Sequence, residues 1–468
     1  MQLRPYQDAA IAGVREAFRA GKRRVLLVAP TGAGKTVMFS YLAGSLMRAG
    51  QNVLLMAHRD ELLDQISRTL QQFDVPHGFI AARRQLMLRH RVQVAGVHTL
   101  KNRCATLRWK PDWIICDEAH HATAGSWATI IKSYPEAMVI GVTATPCRLD
   151  GRGLGNVFDA MVIGPQVADL IRDGFLSKIR YFCPATVDTS GLKKRMGDFK
   201  SSDVDEMVNL PKVTGEAVDC YRKLCDGQPA VAFCASIKHS EHVAETFRAA
   251  GYRWASLDSR MTSEARREAV IGLGNGALHG ISSCDIISEG FDLPIVSAAI
   301  LLRPTASLSL FLQQVGRVLR IAPGKANATI IDHVGNVGAM RRGEWVERHG
   351  FAEDVREWTL EGRVKRTAGA CVSICEECFA VMPIGAQECP HCGWERPEKP
   401  TQPDAPTVDA ELKQVDVERA KAALSNSIKS ARSLEDLQKI ARKQGYAQGW
   451  AWHRWNARTK KQTTYKIK

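Results

Sequence analysis

No apolar run in the sequence approaches the roughly 20 residues a bilayer-spanning helix needs, so a membrane-embedded chain is not expected. The first residues, Met1-Gln2-Leu3-Arg4-Pro5-Tyr6-Gln7, lack the apolar core of an export signal. A cytoplasmic location is therefore the expectation. No short tandem repeat recurs, which argues against a solenoid or propeller. Paired cysteines are scarce. Most of the 13 stand singly at apolar positions such as Cys116, Cys234 and Cys284, and read as reduced core residues rather than disulfides. Acid is short too: 49 Asp+Glu face 64 Lys+Arg, a net charge of +15. Such a surplus is suited to a polyanionic partner, and nucleic acid is the expected one.

What is present is ordinary globular sequence. A hydrophobic content of 45% over 468 residues allows real cores and suggests about three domains. Apolar runs at Val25–Val28, Val53–Met56, Val92–Val97, Trp113–Cys116 and Met138–Val142 alternate with helical spacing, as at Glu61 to Leu70. A second series has strands at Ala230–Cys234, Gly280–Cys284, Ala298–Leu302 and Thr329–Asp332, with helical spacing over Ser240 to Ala250 and Ser263 to Leu273. Alternation of this kind predicts two mainly parallel α/β sheets. The polar stretch from Val187 to Asn209 resembles a connection more than a core. Expected boundaries are 1–165 and 166–345 for the α/β units, then 346–396 for a charged connector and cysteine module. A proline-stiffened linker over 397–412 and a basic segment over 413–468 follow.

The run Val25–Val28 leads into Ala29-Pro30-Thr31-Gly32-Ala33-Gly34-Lys35-Thr36 and then a helical stretch. Strand, glycine-rich turn and helix make the setting of a phosphate-binding loop. Backbone N–H groups from Thr31, Gly32, Ala33 and Gly34 would cradle phosphate oxygens at the helix N-terminus. Lys35 would reach the β- and γ-phosphates of ATP and Thr36 would hold Mg²⁺. The first consensus glycine is Ala29 here. Further on, Trp113–Cys116 runs into Asp117-Glu118-Ala119-His120, placing two acids where parallel sheets bind ligands. Asp117 would hold Mg²⁺ and Glu118 would activate the attacking water.

Asp117-Glu118-Ala119-His120 resembles the box that names the DEAH-type superfamily 2 helicases, and other motifs follow in that family's order over about residues 1 to 340. Leu3-Arg4-Pro5-Tyr6-Gln7 resembles its adenine-sensing segment, so the resemblance gives Gln7 the adenine edge. Ala57-His58-Arg59-Asp60-Glu61-Leu62 and Gly96-Val97-His98-Thr99-Leu100 resemble nucleic-acid-contacting motifs. Thr143-Ala144-Thr145-Pro146 resembles the motif coupling hydrolysis to strand movement. Phe233-Cys234-Ala235-Ser236 with His239 resembles a backbone-contacting motif. Ser288-Glu289-Gly290-Phe291-Asp292-Leu293-Pro294 resembles one touching ribose and backbone, which implicates Gly290 and Asp292 in cofactor binding. Gln313-Gln314-Val315-Gly316-Arg317-Val318-Leu319-Arg320 is similar to the pattern Gln-x-x-Gly-Arg-x-x-Arg. By that resemblance Arg317 and Arg320 are arginine fingers, with Gln313 near the γ-phosphate. Two arginines three apart share a helix face, and a guanidinium suits charge on a transferring phosphoryl group. The implied fold is two tandem RecA-like parallel-sheet domains that close over ATP, followed by a small zinc-ribbon module and a basic helical C-terminal segment. His121 has no evident partner in sequence.

Cys375-x₂-Cys378 and, after ten residues, Cys389-x₂-Cys392 provide four thiolates, the donor set of a structural Zn²⁺. A pair of redox Cys-x-x-Cys sites is the rival, but no thioredoxin-like βαβ pattern surrounds them. From Lys413 to Lys468 there are fourteen Lys/Arg against four Asp/Glu. There Trp450, Trp452 and Trp455 mix with cations, either to stack on bases or to dock a helical hairpin. Core, cysteine module and tail together resemble the bacterial RadD-like DNA repair helicases.

The sequence reading is therefore an ATP- and Mg²⁺-dependent helicase or translocase with structural Zn²⁺, with DNA as the expected partner and nucleoid association when bound. Three rivals stay open. They are an RNA-stimulated helicase of the same superfamily, the motor subunit of a restriction assembly, and a zinc-dependent adaptor with an inactive core. No nuclease or methyltransferase signature is visible.

Overall fold

The structure is a computed structural model of the chain. It describes residues 2–122, 125–148, 151–184, 187, 191–195, 198–284, 293–341, 344–362, 364–366, 372–397, 427–428, 430–444 and 449–463. Two compact units emerge, Met1–Arg396 and Pro397–Lys468.

Lobe 1 of the first unit is a seven-stranded sheet. Its strands are β1 (Arg24–Val28), β2 (Val53–Ala57), β3 (His77–Ile80), β4 (Val92–Gly96), β5 (Trp113–Cys116), β6 (Met138–Thr143) and β7 (Ala160–Ile163). They pair entirely in parallel in the order β3-β4-β2-β5-β6-β1-β7. Helices α1 (Pro5–Arg19), α2 (Lys35–Arg48), α3 (Asp60–Gln72), α4 (Val97–Lys101) and α5 (Gly125–Ser133) connect or flank them. Residues of β2 are buried throughout, because a parallel strand covered by helices on both faces must be apolar on both.

Lobe 2 opens with α6 (Val167–Arg172) and β8 (Ile179–Phe182), then a small antiparallel pair, β9 (Lys194–Arg195) and β10 (Asp198–Phe199). Helices α7 (Ser201–Val208) and α8 (Pro211–Cys225) lead into β11 (Ala230–Phe233), α9 (Ile237–Ala249), β12 (Trp254–Leu257), α10 (Ser263–Gly274) and β13 (Gly280–Ser283). The lobe closes with β14 (Ala298–Leu301), α11 (Leu308–Gly316) and β15 (Ala328–Asp332). The six-stranded parallel sheet has the order β12-β13-β11-β14-β15-β8. One contiguous core joins Leu27 and Val142 of lobe 1 to Phe311 and Leu319 of lobe 2.

The polar segment read as a connection does structural work in the second α/β unit. Asp198 of β10 accepts hydrogen bonds from Thr305 Oγ1 (2.9 Å) and Ala306 N (2.7 Å), just before α11. The charged stretch after lobe 2 forms two antiparallel hairpins, β16 (Gly338–Arg341) with β17 (Glu344–Glu347), and β18 (Arg356–Trp358) with β19 (Val364–Arg366). Trp358 is buried in the lobe 1 core, and Gly155 N donates to Leu360 O at 2.9 Å, so this chain strap crosses back over lobe 1. The buried Arg356 guanidinium holds the strap's bend by donating to the carbonyls of His349, Phe351, Ala352 and Asp354.

The cysteine module is built on β20 (Val372–Ile374) and β21 (Val381–Pro383) and packs on lobe 2. Phe182 of the edge strand β8 bridges Ala380, and Cys183 N donates to Phe379 O at 2.9 Å. Lys223 of α8 reaches both the carbonyl and the carboxylate of Glu377 at 2.8 Å. In the second unit, α12 (Leu434–Gln444) packs against α13 (Trp450–Thr463), burying Leu437 and Ala451 and leaving Trp452 exposed. Among the described residues no helix is long and apolar enough to cross a membrane.

Candidate nucleotide-binding cleft

The phosphate loop spans β1 and α2. Its turn needs backbone that only glycine adopts freely: φ is +90° at Gly32 and +77° at Gly34. A side chain at Gly34 would also press on Gln7, whose Nε2 lies 2.5 Å from where a Cβ would sit. Gln7 is buried and braces the loop, donating to Ala33 O at 3.1 Å while its Oε1 accepts Arg4 N at 2.9 Å. Tyr6 adds a second bond to Ala33 O, also 3.1 Å.

Asp117 and Glu118 leave the C-terminal end of β5. Asp117 Oδ1 accepts the N–H of Glu118 at 3.0 Å. Glu118 has φ +47°, a left-handed conformation that a side-chain-bearing residue holds only when its surroundings enforce it. Burial and the adjoining Glu118 charge raise the Asp117 pKa to about 7, with Lys35 opposing. Burial lowers the Lys35 pKa, against the pull of Glu118 and Asp117. A site whose charges resist one another in this way is suited to a bound cation and polyanion.

From Glu118 a polar chain runs toward lobe 2. Glu118 Oε2 lies 3.3 Å from His120 Nδ1, which is 3.3 Å from Thr143 Oγ1. Thr143 Oγ1 donates to Thr145 O at 3.0 Å, and Thr145 Oγ1 meets Ser309 Oγ of α11 at 2.6 Å. His121, without an evident partner in sequence, packs its ring against His120 (4.1 Å between centroids) and His58 (5.3 Å). It thereby joins the acidic box to the Ala57-His58-Arg59 motif.

Lobe 2 supplies the other wall. A cleft of ≈ 1240 Å³ is lined by Thr31, Gly32, Gly34, Lys35, Thr36, Asp117 and Glu118 from lobe 1 and by Arg317 and Arg320 from lobe 2. Both arginines act electrostatically on Lys35. The lobes touch directly: Arg266 of α10 pairs with Glu61 of α3 at 2.8 Å. Gln313 and Ala33 are buried and, like Gln7, are not among the cleft-lining residues. Gly290 and Asp292 lie outside the described residues. Sequence reasoning missed Ser309 and Asp198, whose roles depend on contacts distant along the chain and carry no local signature.

The four cysteine sulfurs form a cluster, all within 4.8 Å of one another. Cys375 and Cys392 are 3.7 Å apart, as are Cys378 and Cys389. Tetrahedral zinc with Zn–S of about 2.3 Å requires sulfurs about 3.8 Å apart. The cluster fits that ion, and His391 is turned away against Phe182 (4.8 Å between centroids).

Two parallel-sheet lobes sharing a phosphate loop, an acid pair and arginines in one cleft define a two-lobed nucleotide-driven motor. Family comparison agrees. Residues 1–148 match the family "Type III restriction enzyme, res subunit" and residues 216–322 match "Helicase conserved C-terminal domain". A 51.5 kDa protein of a Lactococcus phage (isolate 7-9) is 30% identical over 89% of this chain and 88% of its own length. A Saccharomyces cerevisiae protein named provisionally as the ATP-dependent helicase IRC3 is 28% identical over 71% of this chain, which spans only 51% of it. A solved fragment from Vibrio vulnificus YJ016, assigned provisionally as the HsdR subunit of a type I restriction enzyme, shares the fold. Its TM-score is 0.57 at 22% identity, over 70% of this chain and 64% of that one. The chain belongs to the superfamily 2 helicases, with the ATP-hydrolysing domain pair and the ATP and Mg²⁺ use which that membership implies.

Proposed function

We propose that this protein is a DNA-directed, ATP-driven translocase or helicase. The observation that carries this reading is the composition of the cleft, with Lys35, Thr36, Asp117 and Glu118 from lobe 1 facing Arg317 and Arg320 from lobe 2. Lys35 and the loop N–H groups would bind the triphosphate, and Thr36 and Asp117 would hold Mg²⁺. When bound, the ion supplies positive charge beside the transferring phosphoryl group. Glu118 would accept the proton of the attacking water, with His120 fixing its carboxylate. Arg317 and Arg320 would stabilise charge developing on the phosphoryl oxygens. Because these groups are divided between the two lobes, turnover would depend on closure. The polar chain from Glu118 to Ser309 gives closure a route to the carboxylate.

Two relatives support DNA as the partner. A type ISP restriction-modification enzyme solved bound to DNA shares the fold over 71% of this chain, with a TM-score of 0.52 at 17% identity. A Sulfurisphaera tokodaii protein named a DNA 3'-5' translocase is 22% identical over 68% of this chain. The +15 charge and the zinc module support a RadD-like repair helicase acting at the nucleoid in the cytoplasm. ATPase rates with single strands, duplexes, forks and RNA test the assignment. Lys35→Ala and Glu118→Gln are expected to abolish turnover. Stimulation by RNA alone would refute the DNA reading, and normal turnover in either mutant would refute the site.

A further inference from the structure

Lys325 lies in the loop between α11 and β15. Its ammonium sits among four backbone carbonyls: Val296 O and Val318 O at 2.6 Å, Arg320 O at 2.7 Å and Pro294 O at 3.3 Å. An ammonium has three N–H donors, so this cage uses its full capacity. Two of the acceptors, Val318 and Arg320, belong to the segment that follows the C-terminus of α11, where exposed carbonyls favour a cation. The other two close the turn before β14. Arg320 O also accepts from Ser177 Oγ at 3.2 Å, and Ser177 N donates to Leu319 O at 2.7 Å. Lys325 is thus the hub that fixes the backbone on which Arg320 is mounted, while the Arg320 side chain faces the cleft. Burial, and after it the Arg320 charge, push the Lys325 pKa down to about 7.

We propose that Lys325 is a positioning residue of the ATPase, its carbonyl cage holding Arg320 at the height from which it reaches the phosphate loop. This rests on the arginine-finger reading above. The carbonyls that Lys325 bonds belong to neither the phosphate loop nor the acid pair, so loss of the cage should spare nucleotide binding and impair the chemical step. Misplacing a catalytic group by about 1 Å lowers rate by up to about 100-fold.

The test is steady-state ATPase at saturating DNA for Lys325→Met, Arg320→Ala and the double mutant, with the melting temperature of each. Methionine keeps the unbranched stem and removes the donors. The expected result for Lys325→Met is a kcat lower by about 10- to 100-fold with KM for ATP within about twofold. The double mutant should be no slower than Arg320→Ala alone. Multiplying losses, a change confined to KM, or an unaltered kcat would overturn the proposal. Arg320→Ala at the wild-type rate would instead overturn the arginine-finger reading. Should Lys325→Met not fold, Lys325→Ala with added propylamine replaces it. Restored rate, absent in the Arg320→Ala background, supports the positioning role, and no restoration refutes it.

Discussion

Gly316, the last residue of α11, lies where the lobes press together. A Cβ there would stand 2.8 Å from Thr31 Cγ2 and 3.1 Å from Thr31 Oγ1, and closer still to Thr31 Cβ. Carbon atoms in contact need about 3.5–4.0 Å, so Gly316→Ala forces the lobes about 1 Å apart at the phosphate loop. Overpacking of this kind costs about 1–3 kcal/mol. The backbone itself accepts alanine, which in a helix is favoured over glycine by up to about 1 kcal/mol. The penalty therefore falls on closure rather than on folding. At about 1.4 kcal/mol per tenfold, the closed population should drop about 5- to 150-fold. Steady-state kcat at saturating ATP and DNA should fall within that range, with the melting temperature of the protein unchanged or slightly raised. Thr31→Ala in the same chain removes two of the three close contacts and should recover part of the rate. A Gly316→Ala protein that turns over at the wild-type rate would refute the reasoning. So would one whose lost rate is matched by a lower melting temperature, because the glycine would then be serving the fold and not the closure.

Three further outcomes are expected. Ser309→Ala leaves the buried Thr145 hydroxyl without its interlobe partner, which costs about 1–3 kcal/mol, and should weaken stimulation of ATPase by DNA more than ATP binding; equal loss in basal and stimulated rates would count against this. Removal of zinc by a chelator should lower the melting transition of lobe 2 and release four thiols to a colorimetric reagent, while a protein that keeps its transition would show the module to be dispensable. With its pKa raised to about 7, Asp117 must give up a proton to bind Mg²⁺ below that pH; the apparent Mg²⁺ affinity should weaken by up to about tenfold per unit as pH falls below 7, and a flat profile from 8 to 5.5 contradicts it.

The central strands were legible in sequence because they are apolar on both faces. Within the two parallel sheets, the four strands that were not legible, β3, β7, β8 and β12, are the two edges of each. An edge strand is half-covered and carries residues such as His77 in β3 or Arg180 in β8, so its pattern fades into loop. The cleft was legible for a different reason. Phosphate loop, acid pair and arginines each follow a fixed local spacing, whatever brings them together. Ser309, Asp198 and Lys325 have no such spacing; their importance arises only when residues distant in sequence become neighbours. The charged stretch after lobe 2 misled in the opposite direction, since Arg356 is buried by four carbonyls of its own bend.

The contact between β8 and the cysteine module has a consequence for solubility. An open sheet edge recruits further strands, including those of other copies of the same protein. Phe379 and Ala380 occupy that edge at Phe182 and Cys183, so the module acts as an end-stop on the lobe 2 sheet. A cell that starved this protein of zinc would uncover a strand with unpaired backbone groups, and self-association would compete with loss of activity.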